Sequence, residues 1–489
     1  MKQLLSIIAI TSSLFFISCK KDIASLNTNP INPETVSSQS LFANATLNLS
    51  NVMASTNVNN NNFRLWNQYW TETIYRDETR YNINGRSISD RWWATFYRDI
   101  IKDLDEASKT ASTETVQHSA AEIKNRKALN EILTVYSYYT LITTFGDVPY
   151  TEALDINNTQ PKYDVAAFIF DKIRVRLDAA IANIDTQSEG YGSNDLLLGG
   201  DMDMWKMFAY SLKMRMGMLV ADVSPSVAQA MVSDAADKVI SSNDENISFS
   251  YLAAPPNTNP VWEDLIQSGR HDFIATKPFI DTLNGLSDPR LPILFTKNSG
   301  GIYKGQTPGR SASFSAYSGP SEVISDPMAK HTFFSYAEME FLKAEAVERG
   351  FLNDNTAQQH YNNAVEASLL EWGCSASAVS AYLANPKVNY STPVPGGYKQ
   401  KIGIQSWIAF CNRGYDGFTQ LRRLDYPKLS IPYGVPNIVN PYKDGETPGV
   451  IVRMTYPVLE QNVNKANYDK AVSSIGNDWI TQKLWFDVN

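Results

Sequence analysis

The strongest constraint on this chain is the return of apolar residues at helical spacing along one stretch after another. Ile88, Trp92, Phe96, Ile100 and Leu104 follow each other at intervals of four, which lines one face of a long amphipathic helix. Leu129, Ile132, Leu133, Tyr136 and Thr140 predict a second helix that stops near Phe145-Gly146. Val165, Phe168, Ile169, Ile173, Leu177 and Ala180 predict a third, with Met204–Leu219 and Val227–Ile240 as a fourth and fifth and Leu41–Met53 ahead of them all. Ser87 or Ser89 is placed to cap the helix from Ile88, and Asp201 the one from Met204. Each such helix buries its apolar face only against a neighbour, so the expected building block is the helical pair.

The clearest pair comes late. Ser335 and Glu338 have the spacing of a capping box, and Gly350 supplies a left-handed stop. Thr356 opens the partner helix and Gly373 closes it. Within that partner, Ala357, Tyr361 and Ala364 have the spacing of a tetratricopeptide second helix, where two small residues allow close approach and a ring fills the gap. A tetratricopeptide array and a non-repeat helical domain both accommodate this single match. Between the helical blocks, residues 253–330 are dense in Gly, Pro and Ser with aromatics interleaved, as are 385–397 and 426–449. Loops this long in a folded domain usually carry function.

The N-terminus speaks to location. Met1-Lys2 precedes an apolar stretch, Leu4 to Ile17, and then Ser18-Cys19-Lys20-Lys21-Asp22. A basic start, a short apolar segment and a small residue before a cleavage point describe an export signal. Phe16-Ile17-Ser18-Cys19 resembles a bacterial lipobox, in which Cys19 is acylated and becomes the new N-terminus. Residues 1–18 are then a signal peptide and 19–36 a lipidated, extended tether, with 37–489 a single domain. Downstream, no apolar run reaches the roughly 18 residues that span a bilayer. The balance of 43 Lys+Arg against 51 Asp+Glu, without a basic block, argues against nucleic acid as a partner.

A search for catalytic chemistry returns little. His118, His271, His331 and His360 are scattered, and no zinc, phosphate-loop, dinucleotide or nucleophile-elbow motif is present. Asp201 and Asp203 lack the remaining ligands of a calcium loop. Glu72, Asp77 and Glu78 are near neighbours of a kind that any acidic chain contains, and they leave a glycosidase pair open. Cys374 and Cys411 fit one disulfide or two separate buried thiols equally well. More distinctive is a cluster of rings, Trp66, Tyr69, Trp70, Tyr75 and Tyr81, among Asn67, Gln68, Arg76 and Asn82. Rings beside amide and guanidinium donors suit a sugar, whose C–H face covers a ring while its hydroxyls find polar partners. Packing between helices is the competing reading, and for any one residue the better one.

Several segments together resemble the SusD/RagB family of outer-membrane nutrient-binding lipoproteins. Phe145-Gly-Asp-Val-Pro-Tyr150 with Glu152 is similar to the family's turn after its second tetratricopeptide helix. Ser335-Tyr-Ala-Glu-Met-Glu-Phe-Leu-Lys-Ala-Glu-Ala346 resembles its late helix. Arg453-Met-Thr-Tyr-Pro457 with Glu460, Asn462, Gly476, Asp478 and Trp485 resembles its C-terminal signature, where an Arg453–Glu460 charge pair is expected. Gly200-Asp201 with Trp205, Leu212 and Arg215, and the tether Asn27-Thr28-Asn29-Pro30, are similar too. The resemblance implies a mainly α fold: about four tetratricopeptide-like hairpins packed against a loop-rich region with a few short strands. It also implies a non-enzymatic, cofactor-free protein, lipid-anchored at the outer membrane and facing outward, that sits over a SusC-like TonB-dependent barrel. Its ligand is then an oligosaccharide or an oligopeptide, with a protein-binding adaptor and a surface glycoside hydrolase as other readings. Family ligand contacts vary, so the site rests on chemistry alone: Trp66, Tyr69, Trp70, Tyr75 and Tyr81 as ring faces, Asn67 and Arg76 as hydrogen-bonding groups, and Trp262, Tyr303 or Tyr317 closing from the long loop.

Overall fold

The computed structural model describes residues 36–436 and 449–488. The expectations for the signal peptide, for Cys19 and for the tether fall on residues 1–35, outside the described residues. From Ser38 onward the chain folds as one unit.

Helix α1 (Ser38–Ala54) packs on α2, a run of three consecutive segments, Ile88–Ala94, Thr95–Ile101 and Lys102–Ala111. The middle segment is a π-helix, and it keeps Phe96 and Ile100 in the apolar stripe. Helix α3 (Ala120–Phe145) packs on α4 (Ala166–Asn183), and α5 (Met202–Leu219) on α6 (Pro225–Ala235). A fourth pair, α8 (Tyr336–Glu348) and α9 (Ala357–Glu371), follows the loop-rich segment, which itself contains α7 (Lys277–Leu286). Helices α10 (Ala376–Ala384), α11 (Gly397–Ala409), α12 (Gly414–Leu424) and α13 (Lys465–Ile475) follow, with a few helices of six residues or fewer between the longer ones. Strands are few and short: β1 (Trp70–Glu72) pairs antiparallel with β3 (Phe273–Ala275), and β2 (Ile247–Phe249) with β4 (His331–Phe334). The mainly α architecture with four helical pairs and a loop-rich remainder is the one the sequence leads one to expect.

Helix α3 is central and almost wholly buried from Asn125 to its end. Its buried Thr134, Ser137, Thr140 and Thr144 donate back to carbonyls four residues earlier, at 2.7–2.9 Å, which satisfies hydroxyls that would otherwise be stranded in the core. Ser119 and Glu122 cap it with a reciprocal box, a pair that sequence inspection passed over. Asp201 accepts from the Met204 amide at 3.0 Å as expected. Gly217 lets α5 and α6 touch, since a Cβ there would lie 2.9 Å from that of Met231.

The caps of the late pair hold only in part. Ser335 accepts from the Glu338 amide at 3.3 Å, and Gly350 and Gly373 take left-handed φ of 72° and 78°. The Glu338 carboxylate does not return to the backbone, because buried Arg215 and Arg413 take it instead. Thr356 accepts from Gln359 at 3.1 Å, and Ala357, Tyr361 and Ala364 are buried as the repeat spacing requires. Two further expectations are corrected, and one left open is decided. Ser87 adopts φ 53° and makes no side-chain cap, and α2 starts at Ile88 without one. Arg453 pairs with Asp478 at 2.7 Å, while Glu460 accepts from the Tyr163 hydroxyl at 2.8 Å. Cys374 and Cys411 are two separate buried thiols, and burial pushes Cys411 up to about 12.

Candidate functional site

The segment that carries the predicted rings folds inward. A short helix, Phe63–Trp66, leads through Gln68 at φ 55° into β1, and Tyr81 at φ 65° turns the chain toward α2. Trp66, Tyr69, Trp70 and Tyr81 are each 1 % exposed or less, and Asn67 is fully buried. Trp66 meets Phe63 edge-on at 5.0 Å and donates its indole N–H to the Glu78 carbonyl at 3.3 Å. The Tyr69 hydroxyl donates to the Trp407 carbonyl at 2.7 Å while the two rings stack at 5.5 Å. Asn67 donates to the Gly414 carbonyl at 2.6 Å. These five residues therefore leave no face for a ligand, and the expectation that they bind one is corrected: Trp66, Asn67 and Tyr69 join the β1 segment to α11 and α12, and Trp70 packs on Phe273 of β3. The two glycines of α12 permit this, since a Cβ on Gly414 would meet the Arg64 backbone at 2.9 Å.

What remains outside is the end of the β1–β3 ribbon. Past β1 the pairing continues with the Thr73 amide on the Asp272 carbonyl at 2.8 Å, and the chain then turns outward. Tyr75 there is 62 % exposed and Arg76 half-buried. The loop of residues 297–320 is stitched onto the same ribbon. The Ala312 amide donates to the Thr73 carbonyl at 2.9 Å, the Gly309 amide to Thr71 Oγ1 at 3.1 Å, and the Ala275 amide to the Ser318 carbonyl at 2.7 Å. Arg80 clamps the Gly309 carbonyl with two donors at 2.9 and 3.1 Å. Phe314 stacks on His271 at 4.6 Å. Tyr303 and Tyr317 are half-buried, with Lys297 and Lys304 ammonium groups over their rings at 5.7 and 5.0 Å.

Two clefts adjoin this edge. One of about 130 Å³ is bounded by Tyr75, Glu72, Arg86, Arg270, Asp272, Asn57 and Asn59. The other, about 270 Å³, shares Asn57 and Asp264 with it and adds Asn48, Asn51, Asn60, Asp99 and Glu263. Half-buried Trp262 sits between Pro260 and Glu263, which line the second cleft. Arg270 and Asp272 hold each other at 2.5 Å at the mouth, one donor and one acceptor side by side. Burial raises Asp264 to about 6, with Asn57 donating to it at 3.2 Å in opposition. Amides, a carboxylate–guanidinium pair and one exposed ring can together exchange hydrogen bonds with a polyhydroxylated ligand and cover one of its faces. Arg270, Asp272 and the amides of Asn57, Asn59 and Asn60 were not singled out from sequence. Nothing local marks them, because they come together with Tyr75 only once β1 and β3 pair.

The acidic neighbours near Tyr75 resolve into a different object. Glu72 and Glu78 are both buried, and Arg86 meets Glu78 at 2.5 Å. Burial, with the Glu78 charge nearby, pushes Glu72 up to about 9 despite the amide and hydroxyl of Thr79 at 2.9 Å. Glycosidases set their carboxyl groups roughly 5 to 9.5 Å apart around the scissile bond. Here both carboxyl groups are packed within the fold, at 3 % exposure or less.

The fold and this loop-built face define a helical-repeat protein whose ribbon edge presents polar clefts. The chain belongs to the SusD-like family, whose model, described as "Starch-binding associating with outer membrane", matches residues 30–457. Solved structures agree over nearly the whole length. A protein titled as chitin-binding is 25% identical, with a TM-score of 0.75 over 92% of this chain and 100% of that one. A chitin-binding SusD homolog from Flavobacterium johnsoniae is 22% identical, with a TM-score of 0.77 over 92% and 99%. A SusD homolog from Bacteroides uniformis is 23% identical, with the same score and coverage. No curated protein sequence matches the chain.

Proposed function

We propose that this chain is a surface lipoprotein that captures an oligosaccharide on the Tyr75 face and delivers it to a SusC-like TonB-dependent barrel. The observation that carries the reading is the exposed Tyr75 ring beside the Arg270–Asp272 pair, at the mouth of two amide-lined clefts, in a chain of this family. The ring covers the C–H face of a sugar unit, and the flanking donors and acceptors replace the water its hydroxyls lose. Trp262, Tyr303 and Tyr317, half-buried on the neighbouring loops, extend the face for further units. The chitin-binding titles of two similar structures support a glycan over a peptide. Acylation at Cys19 would hold the protein at the membrane, where several acyl chains make an anchor durable.

Affinity electrophoresis against chitin-derived, starch-type and plant polysaccharides tests the binding step. One glycan is expected to retard the protein, and a Tyr75→Ala/Arg270→Ala variant to run freely. Equal retardation of that variant, or none by any glycan, overturns the assignment of the face. For delivery, detergent extraction of outer membranes is expected to co-purify a barrel with the chain, and Cys19→Ala to release the chain from the membrane fraction. Extraction of the chain alone under mild detergent would refute the partnership.

A further inference from the structure

A larger cleft, about 500 Å³, opens over the β2–β4 ribbon between the end of α9 and the start of α12. It shares no lining residue with the clefts at Tyr75, and its volume is within the ~300–1,000 Å³ of small-molecule sites. Part of its wall is committed to the fold. Ser248 and Thr332 bond across the ribbon at 2.9 Å, and Arg413 gives its guanidinium to Glu338, Asp416 and Ser335.

The rest is unspent. Among the described residues, Glu371, Asp244 and Lys330 line the cleft and none of them has an ion pair. Two buried atoms of the lining, the Trp372 indole Nε1 and Asn243 Oδ1, have no hydrogen-bond partner, although Asn243 Nδ2 is fixed on the Ala367 carbonyl at 2.9 Å. Glu371 is open to solvent but ringed by the cleft walls. Glu371 and Asp244 both reach solvent at the cleft walls, and two unpaired carboxylates against one ammonium leave the cleft with excess negative charge, which favours a cation over a neutral guest.

We propose that this cleft binds a small polar ligand carrying a protonated amine, of disaccharide or dipeptide size. The amine sits between Glu371 and Asp244, the apolar part of the ligand lies on the Trp372 indole, and a hydroxyl or carboxylate reaches Lys330. An amino sugar and a peptide N-terminus both present that chemistry. The proposal stands apart from the glycan reading, because it uses other residues and another ligand charge.

Isothermal titration of the intact chain tests it with four probes: a glucosamine disaccharide with free amines, its N-acetylated counterpart, and an alanine dipeptide amide with a free or an acetylated N-terminus. At least one free-amine probe is expected to bind, with its acetylated counterpart weaker by about tenfold or more. Which free-amine probe binds identifies the source of the ligand. Glu371→Gln, an exposed and conservative change, is expected to weaken binding about tenfold, and Asp244→Asn, on a separate turn, about threefold. Tyr75→Ala is expected to leave the titration unchanged. Failure of both free-amine probes, equal binding of the acetylated forms, or full affinity in Glu371→Gln would overturn the proposal while leaving the Tyr75 face untouched.

Discussion

Arg215 on α5 donates from Nε and a terminal nitrogen to the two carboxylate oxygens of Glu338 on α8, at 2.6 and 2.8 Å, across 123 residues of chain. Arg413 takes the same carboxylate from the other side, and Asp416 meets both guanidinium groups, at 3.2 Å from Arg215 and 2.8 Å from Arg413. All four are buried. Burial pushes Glu338 up, and the two arginines overcome that and hold it below the usual carboxylate range. Removing the central member leaves two buried guanidinium groups to one carboxylate. Glu338→Ala is therefore expected to cost about 3–5 kcal/mol, and Glu338→Gln less, since it keeps one acceptor. Urea unfolding monitored by circular dichroism measures both; an unchanged midpoint in Glu338→Ala would show that the network carries no net stability.

The inward rings predict a loss of folding rather than of ligand. Trp66→Ala empties a site in the core and is expected to destabilise by about 3–5 kcal/mol. Gly417→Ala sets a Cβ 2.4 Å from the Tyr69 hydroxyl and 3.1 Å from Asn67 Nδ2, an overpacking worth about 1–3 kcal/mol. Differential scanning calorimetry should register both. Folded Gly417→Ala protein should be retarded by the same glycan as the wild type, and a selective loss of binding would place the rings of residues 66–70 back in the site.

Tyr75→Ala has the opposite expectation. The side chain is 62 % exposed, so its removal should change stability by no more than about 0.5 kcal/mol. Loss of one stacked ring should weaken glycan binding about tenfold, the scale of an aromatic contact of about 1.4 kcal/mol. A calorimetric titration that gives wild-type affinity would move the ligand to the half-buried Tyr303 or Tyr317.

Glu72 predicts a pH dependence of stability. Its folded value of about 9 lies above its ordinary value of 4.5, so between those limits the folded chain holds a proton that the unfolded chain releases. Stability from this group is full at low pH and declines as pH rises through that window. Glu72→Gln keeps the neutral form at every pH. The variant is expected to gain on the wild type between pH 5 and 8, by a relative amount on the order of 4 kcal/mol. Urea midpoints of both proteins across that range decide it, and parallel profiles would show that Glu72 is ionised in the fold.

Much of the architecture was legible because helices announce themselves locally. The Ile88–Leu104 stripe, the Asp201 and Thr356 caps, the Gly350 and Gly373 stops and the Ala357–Tyr361–Ala364 spacing all act within a few residues of chain, and all stand where the sequence puts them. The site was legible only as a neighbourhood. Trp66, Tyr69 and Trp70 differ from Tyr75 in nothing local. Trp66 and Tyr69 are buried because α11 and α12, some 340 residues later, arrive to cover them, as the Trp407–Asn67 hydrogen bond records, and Trp70 is covered by Phe273 of β3. Charge pairing obeys the same rule: Arg453 had Glu460 seven positions away, yet took Asp478 once α13 brought it near. By itself the sequence determined periodicity, caps and composition, which depend on neighbours in the chain. The tertiary structure alone decided which rings face water and which carboxylates meet which cations, because desolvation and ion pairing depend on neighbours in space.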